Sequence, residues 1–415
     1  MSTAQTWNDI LPSEECTRGK NPIRAYVENV LSKAKPNLQK KKITFTLGDP
    51  AVYPEFQVEH SVADIISQDV EKSLQLQEPE GPLASRQYVA NIYSTDQWKL
   101  KADDVFLTMG GSSSLWLLLN VLTNPGDNIL VPSPGFPLIF AMAENRNVNL
   151  VSYELQSGED GYIDLEDLEA KLQTSNAKFL LVNNPSNPLG TVWSEEHIRD
   201  ILALARKYQV PIVADEMYEL LVFGSCQPIC IGKLSPSQPI FVISGLSKAC
   251  FVPGWRCGWI VCYGKQEIIS EVKKGLKKLC QFYRHPNAVA ALKVPEVFEM
   301  GKKFGKERML LVERKAKLIK EKLRGVQGIT LYNTKGALYL SIFLDFSKFK
   351  NIENSQQFAL KLFEEENINV LPGSLFYKDN MIRLVILCSD DDIDDFATRF
   401  KEFCERLLIV ENNNA

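Results

Sequence analysis

The chain has 415 residues, 45% of them hydrophobic, so it can bury a large core and holds roughly two or three domains' worth of material. A net charge of -4 and a pI near 5.7 argue against a basic nucleic-acid surface, and the lysine runs at Lys40-Lys41-Lys42 and Lys273 to Lys278 are short or interrupted, as solvated faces are. No stretch has the apolar length of a membrane span, and Met1 to Lys20 carries Asp9, Glu14 and Glu15 with no sustained apolar run, so neither a secretory leader nor a transit peptide is expected. Nine cysteines without a CxxC pair predict reduced, packed thiols in a cytoplasmic protein. His60, His197 and His285 lack ligand spacing, so no metal site is expected and catalysis should rest on other groups.

In chain order, Asn21-Pro22-Ile23-Arg24 opens an amphipathic stretch, Ala25 to Ala34, that reads as a docking arm. Ile43 to Leu47 alternates as a strand and stops at the turn Gly48-Asp49-Pro50, where a glycine lets a backbone N–H approach a ligand, although a plain turn is the commoner explanation. Val58 to Ser73 and Ser85 to Ser94 read as helices. Val105 to Met109, then Gly110-Gly111-Ser112-Ser113-Ser114, then the apolar run Leu115 to Leu122 form a strand, small-residue turn and helix. In that layout free amides at a helix N-terminus receive a phosphate, although a plain tight turn would look the same.

Three apolar segments end in polar clusters. Phe179 to Val182 runs into Asn183-Asn184-Pro185-Ser186-Asn187-Pro188, Pro211 to Ala214 into Asp215-Glu216-Met217-Tyr218, and Ile240 to Ile243 into Ser244-Gly245-Leu246-Ser247-Lys248. Apolar runs without alternation, separated by helical patterns such as Glu195 to Lys207, are strands of a parallel sheet covered on both faces. Ligands of such sheets sit beyond the carboxyl ends of the strands, so the three clusters should share one pocket. Lys248 would carry a cofactor aldehyde there as a Schiff base, a role lysine takes where partial desolvation and nearby cations expose its amine. Taken alone it is one more solvated lysine. Arg256, in Val252-Pro253-Gly254-Trp255-Arg256, would supply a permanent charge for a phosphate.

Beyond Gly264 the chain reads as helix over Gln266 to Tyr283 and again over Val294 to Leu323, interrupted at Gly301 and Gly305. A composition shift near Gly325 opens a small α/β unit with a mostly antiparallel sheet. Its strands are Ile329 to Leu331, Gly336 to Phe343, Val370-Leu371 and Ile382 to Leu387, its helices Ser355 to Glu366 and Asp391 to Leu408, and Asn412 to Ala415 forms a polar tail.

These motifs together, with Gly190, Gly258-Trp259, Leu371-Pro372-Gly373 and Ile382-Arg383, resemble the fold-type I aminotransferases that use pyridoxal 5'-phosphate, and within them the tyrosine aminotransferase group, from about Asn21 to Leu408. The resemblance implies an α/β fold: a large domain with a mostly parallel seven-stranded sheet between helices, and a smaller α/β domain. Boundaries are expected at 1–57 for the arm and part of the small domain, 58–310 for the large domain and 311–415 for the small C-terminal domain. It implies that Asp215 pairs with the pyridine nitrogen, that Tyr218 and Asn187 hydrogen-bond the phenolic oxygen, and that Gly110, Gly111, Ser112 and Arg256 hold the phosphate. It implies that Lys248 is the catalytic residue, nucleophile and acid–base in turn, and that Arg383, with Asn187 and the backbone of Gly48, clamps the substrate carboxylate. For Arg383 a structural ion pair is the alternative.

The chain departs from the pattern at three places. An ungapped reading puts Ile139 where the group stacks an aromatic ring on the cofactor, with Phe136 or Phe140 available only out of register. Leu76 replaces the tyrosine that reaches the phosphate from a neighbouring subunit, and Gly245 stands where many relatives have a phosphate-binding serine, although some tyrosine aminotransferases also have glycine there and Ser244 or Ser247 could partly replace it. Losing one stack and one charge-assisted bond predicts cofactor binding weaker by about 1 to 3 kcal/mol, roughly ten- to a hundredfold. The expected activity is transfer of an amino group from an aromatic L-amino acid to a 2-oxo acid such as 2-oxoglutarate, by a ping-pong route, in a cytoplasmic homodimer that binds no nucleic acid or membrane. A carbon–sulfur lyase of the same fold, or a non-catalytic scaffold, are the alternatives.

Overall fold

The apolar runs become the centre of a seven-stranded sheet in the computed structural model, which describes residues 11–57, 61–67, 70–156, 160–224 and 226–409. After a short strand β1 (Ile43–Thr44), this sheet comprises β2 (Val105–Thr108), β3 (Asn128–Ser133), β4 (Asn149–Glu154), β5 (Ala177–Asn183), β6 (Ile212–Asp215), β7 (Ile240–Gly245) and β8 (Gly258–Tyr263). Their order is β2-β8-β7-β6-β5-β3-β4. β8 runs antiparallel to both neighbours, and the pairs from β7 across to β4 are parallel. Every residue of β2, β6, β7 and β8 is buried, which is why these segments lack alternation. Successive side chains serve two different cores: Leu180, Val182, Ile212, Ala214 and Val242 pack on one face, Phe179, Leu181, Val213, Phe241 and Ile243 on the other.

A smaller antiparallel sheet holds β9 (Ile329–Leu331), β10 (Tyr339–Leu344), β12 (Leu371–Pro372) and β13 (Met381–Val385), in the order β12-β13-β10-β9. Its core takes in Phe358, Phe396, Phe400 and Phe403 from the helices Ser355–Glu366 and Asp390–Leu407, together with Ile43, Phe45 and Phe56 from the N-terminal segment. β1 pairs in parallel with β11 (Ile368–Asn369), which ties that segment to the small unit.

Several local expectations need correction. The stretch Val294–Lys322 is one helix of 29 residues, and its glycines do not interrupt it. Gly301 and Gly305 are buried, and a Cβ at Gly301 would strike Cys250, two residues after Lys248, so the missing side chain lets the helix lie close to the Lys248 turn. The same helix enters both cores, through Val294, Val297 and Phe298 at one end and Met309, Val312, Ala316 and Ile319 further on. The arm helix is Pro22–Asn29, started by the Asn21 side chain and the proline at its first position, and followed by a short turn at Leu31–Lys33. The expected helix Val58 to Ser73 is described as Ser61–Ser67 and Val70–Ser73, with 58–60 and 68–69 outside the described residues. The tail Asn412 to Ala415 also lies outside them. Among the described residues no helix is long and apolar enough to cross a membrane.

Candidate active site

The register of the central strands sets the site. Asn183 stands opposite Asp215, and Asp215 opposite Ile243, so β5, β6 and β7 end level and release their polar tails at one edge. Lys248 follows β7 in a one-turn helix, Leu246–Ala249. Asp215, Tyr218, Asn187 and Lys248 line one cleft, and Gly111, Ser112 and Arg256 line it with them. The Lys248 ammonium donates to the Gly48 carbonyl, so the glycine turn does reach the site, by its oxygen and from a part of the chain 200 residues away.

Asp215 is buried and accepts a hydrogen bond from the Met217 amide at 3.2 Å. Burial, partly offset by that bond, pushes its carboxyl up to about 6. Asn183, in the same cleft, donates to the Asp215 carbonyl at 2.9 Å and accepts from the Asn187 amide at 2.7 Å, holding both backbones in place. The Asn187 side chain donates to the Tyr218 hydroxyl at 3.5 Å and accepts from Arg383 Nη1 at 3.1 Å. Arg383 is 3% exposed, donates to the Thr46 carbonyl at 3.0 Å through Nη2, leaves Nε without a partner, and lies over the rings of Tyr339 and Phe376. Among the described residues no carboxylate pairs with it, which removes the structural ion pair as its explanation. Burial lowers its affinity for its proton, and the neighbouring tyrosines offset this in part.

The turn before the helix Gly111–Leu122 is built around Gly110, whose φ of +81° favours glycine. A Cβ at Gly110 would stand 2.7 Å from Arg256 Nη2, and one at Gly111 2.7 Å from Met217 Sδ. Arg256 is itself held by the Pro253 and Met109 carbonyls at 3.0 and 3.2 Å. First-turn amides, a guanidinium and two serine hydroxyls therefore surround one concavity. Of the two serines offered for the missing donor at Gly245, Ser244 is engaged with Glu219 at 2.6 Å. Ser247 lines the cleft, is 4% exposed, and its hydroxyl has no partner.

The aromatic expectation fell on the wrong residue. Ile139 is 1% exposed and packs in the apolar cluster with Leu118 and Phe140, while Phe140 stacks on Tyr377; the ring that lines the cleft is Phe136. Phe136 caps the helix Pro137–Asn145 just beyond the end of β3, at the crevice edge, whereas Ile139 already lies inside the first turn and turns to the core. Pro134-Gly135-Phe136 carries the signal, since Phe136, between the end of the strand at Ser133 and the start of the helix at Pro137, is the residue that faces the crevice. Leu76 is 91% exposed.

A buried carboxylate lacking a cation, an unpartnered buried hydroxyl and a glycine cradle under an arginine fit a phosphorylated pyridine aldehyde: acid for the ring nitrogen, donors for the phosphate, lysine for the aldehyde. The model of the family "Aminotransferase class I and II" matches residues 40–400. Tyrosine aminotransferase of Mus musculus is 35% identical over 404 residues, covering 96% of this chain and 88% of the relative. That of Homo sapiens is 36% identical over 402 residues, with the same two coverages of 96% and 88%. The crystal structure of tyrosine aminotransferase from Leishmania infantum superposes with a TM-score of 0.91 at 25% identity, over 97% of this chain and 100% of that one. With a family model spanning most of its length and the cleft that such chemistry needs, the chain belongs to the class I and II aminotransferases and is a pyridoxal-phosphate-dependent transaminase of fold type I.

Proposed function

We propose that the protein transfers the amino group of an aromatic L-amino acid, tyrosine foremost, to a 2-oxo acid such as 2-oxoglutarate in two half-reactions. The observation that carries this reading is the buried Arg383 guanidinium, free of any carboxylate among the described residues and joined through Asn187 to Tyr218 in the Lys248 cleft. It suits an α-carboxylate, which it would grip by paired charge-assisted bonds while Asn187 orients it. Lys248 would hold the cofactor through its amine and would serve as the base and acid that moves a proton to and from the substrate α-carbon. Asp215 would hold the proton on the ring nitrogen, Tyr218 and Asn187 would donate to the phenolic oxygen, and Gly110, Gly111, Ser112 and Arg256 would hold the phosphate. Pyridoxal phosphate, when bound, supplies the electron sink. Phe136, which lines the cleft, would cover that ring, the role expected of position 139. The aromatic donor is supported by tyrosine aminotransferases at 35 and 36% identity.

The unit of function is a cytoplasmic homodimer with its active sites at the interface. Leu74, Leu76 and Phe282, 80, 91 and 79% exposed, are apolar side chains that a partner would cover, and nine free cysteines suit a reducing compartment. Sedimentation velocity reads the dimer directly. The test of activity is an absorption spectrum with added pyridoxal phosphate. A visible band that L-tyrosine bleaches and 2-oxoglutarate restores, and that Lys248→Ala lacks, is expected. Turnover without any 2-oxo acid would point to a lyase, and no band in excess cofactor would end the catalytic reading.

A further inference from the structure

Tyr339 opens β10, in the small sheet, yet it reaches the centre of the cleft's polar network. It is 3% exposed. Its hydroxyl lies 2.8 Å from the Tyr218 hydroxyl, with the two rings edge to face at 5.6 Å and 78°. The Arg383 guanidinium lies over the same ring, 4.4 Å from its centroid. The register explains the stack: β10 pairs antiparallel with β13, Ser341 stands opposite Arg383, and Tyr339, two residues earlier, is the diagonal neighbour on the same face. With Asn187 bonded to both Arg383 and Tyr218, the four residues close a ring, Tyr339 to Tyr218 to Asn187 to Arg383 and back. Gly48 is shaped by the same hydroxyl, since a Cβ there would stand 2.8 Å from Tyr339 Oη. Ser341 anchors the strand by donating to the Pro188 carbonyl at 2.9 Å, so Tyr339 cannot drift from the Asn187 loop.

We propose that Tyr339 is a positioning residue: its hydroxyl donates to Tyr218 and thereby turns the Tyr218 proton toward the cofactor's phenolic oxygen. This rests on the transaminase reading and goes beyond it by naming what orients Tyr218. Two hydroxyls 2.8 Å apart share one hydrogen, so one must donate and the other is left with a proton for a third group. Arg383 acts on both hydroxyls, but its guanidinium lies against the Tyr339 ring itself, and this contact favours Tyr339 as the donor of the pair. Tyr218, accepting from Tyr339 and from Asn187, then donates outward more strongly. The other charged and titratable groups acting on this network are Asp215 on Tyr218, and Tyr53 on Arg383. None of them offers Tyr218 a competing acceptor at hydrogen-bond distance among the described residues.

A donor to the phenolic oxygen competes with the proton that this oxygen shares with the lysine-bound nitrogen, so a stronger donor lowers the midpoint at which that nitrogen deprotonates. The experiment is a spectrophotometric pH titration of the holoenzyme without substrate. Tyr339→Phe keeps the ring under Arg383 and loses the hydroxyl; its midpoint should rise by roughly half to one unit, with KM for the amino acid changed by less than about threefold. Replacing Tyr339 with 3-fluorotyrosine, which sharpens the donor and barely alters its shape, should move the midpoint down, a sign that no packing defect produces. In a Tyr218→Phe background the Tyr339→Phe shift should vanish. A wild-type midpoint in Tyr339→Phe, or shifts of one sign in both Tyr339 variants, overturns the positioning role while leaving the transaminase reading intact. Absence of the visible band in the wild type removes both.

Discussion

Installing a serine at position 245 should harm this protein rather than improve its hold on the cofactor phosphate. Gly245 ends β7 opposite Gly258 of β8. Its φ of 162° is ordinary extended backbone, so the objection is space and not conformation. A Cβ would stand 2.5 Å from Gly258 Cα and 2.6 Å from the Cys257 carbonyl oxygen, and both are backbone atoms with no rotamer to yield. The strands would have to part by about 0.9 Å to restore ordinary contact, and the 3.0 Å bond from the Leu246 amide to the Cys257 carbonyl lies in the way. Overpacking at this level costs about 1–3 kcal/mol and the lost bond about 1 more, for a total of about 2–4 kcal/mol. Lys248 sits three residues on, so part of that distortion falls on the catalytic turn, and cofactor affinity drops about tenfold for each 1.4 kcal/mol it absorbs. Gly245→Ser is therefore expected to melt earlier than the wild type as apoprotein, and to need more pyridoxal phosphate for half-saturation of the visible band. A variant with the wild-type melting temperature and tighter cofactor binding would refute the steric reasoning.

Ser247→Ala should weaken cofactor binding about ten- to a hundredfold, the worth of one bond to a charged group, and leave the apoprotein's melting temperature unchanged or higher, because the hydroxyl has no partner inside the protein; equilibrium dialysis and a thermal melt separate the two effects. Arg383→Leu should lower kcat/KM for the amino acid by about 3 kcal/mol, or roughly 150-fold, and Arg383→Lys should restore little of it, since an ammonium cannot reproduce two parallel bonds; recovery to within fivefold by lysine would contradict a bidentate grip. Glu219, buried beside Tyr93 and Ser244, has its carboxyl pushed up by burial, more than its hydrogen bonds pull it down. Folded protein then binds this proton more tightly than unfolded chain, so stability falls as pH rises from about 4.3, the unfolded value, through the folded one. Glu219→Gln should flatten that decline, gaining melting temperature at pH 8 relative to pH 5; an unchanged difference between the two pH values would show that Glu219 does not carry the effect.

The local chemistry of this protein was largely legible along the chain. Unbroken apolar runs ending in Asn183, Asp215 and Lys248 announced a buried parallel sheet with a crevice at its strand ends, because a strand covered on both faces has no polar side to alternate with. The small residues from Gly110 to Ser112 marked a turn into a helix for the same kind of reason: glycine takes the positive φ that the turn requires, and the first-turn amides have no intrahelical acceptor whatever the rest of the fold does. What tertiary structure alone decided concerns contacts between segments distant in sequence. Gly301 and Gly305 read as breaks, yet they are the places where a long helix closes on the Lys248 turn, and Cys250, which demands the space, lies 51 residues away. Ile139 and Phe136 are separated by a helix start whose position periodicity locates only to within a few residues, and that offset decides which side chain faces the crevice. Tyr339 looked like one apolar position in a strand of the small unit. Only the register of β10 against β13, and the docking of the small sheet on the Asn187 loop, put its hydroxyl on Tyr218 and its ring beneath Arg383. A residue's own neighbours set its backbone, but the partners of a buried polar side chain are set by which segments pack against it, and no local pattern carries that information.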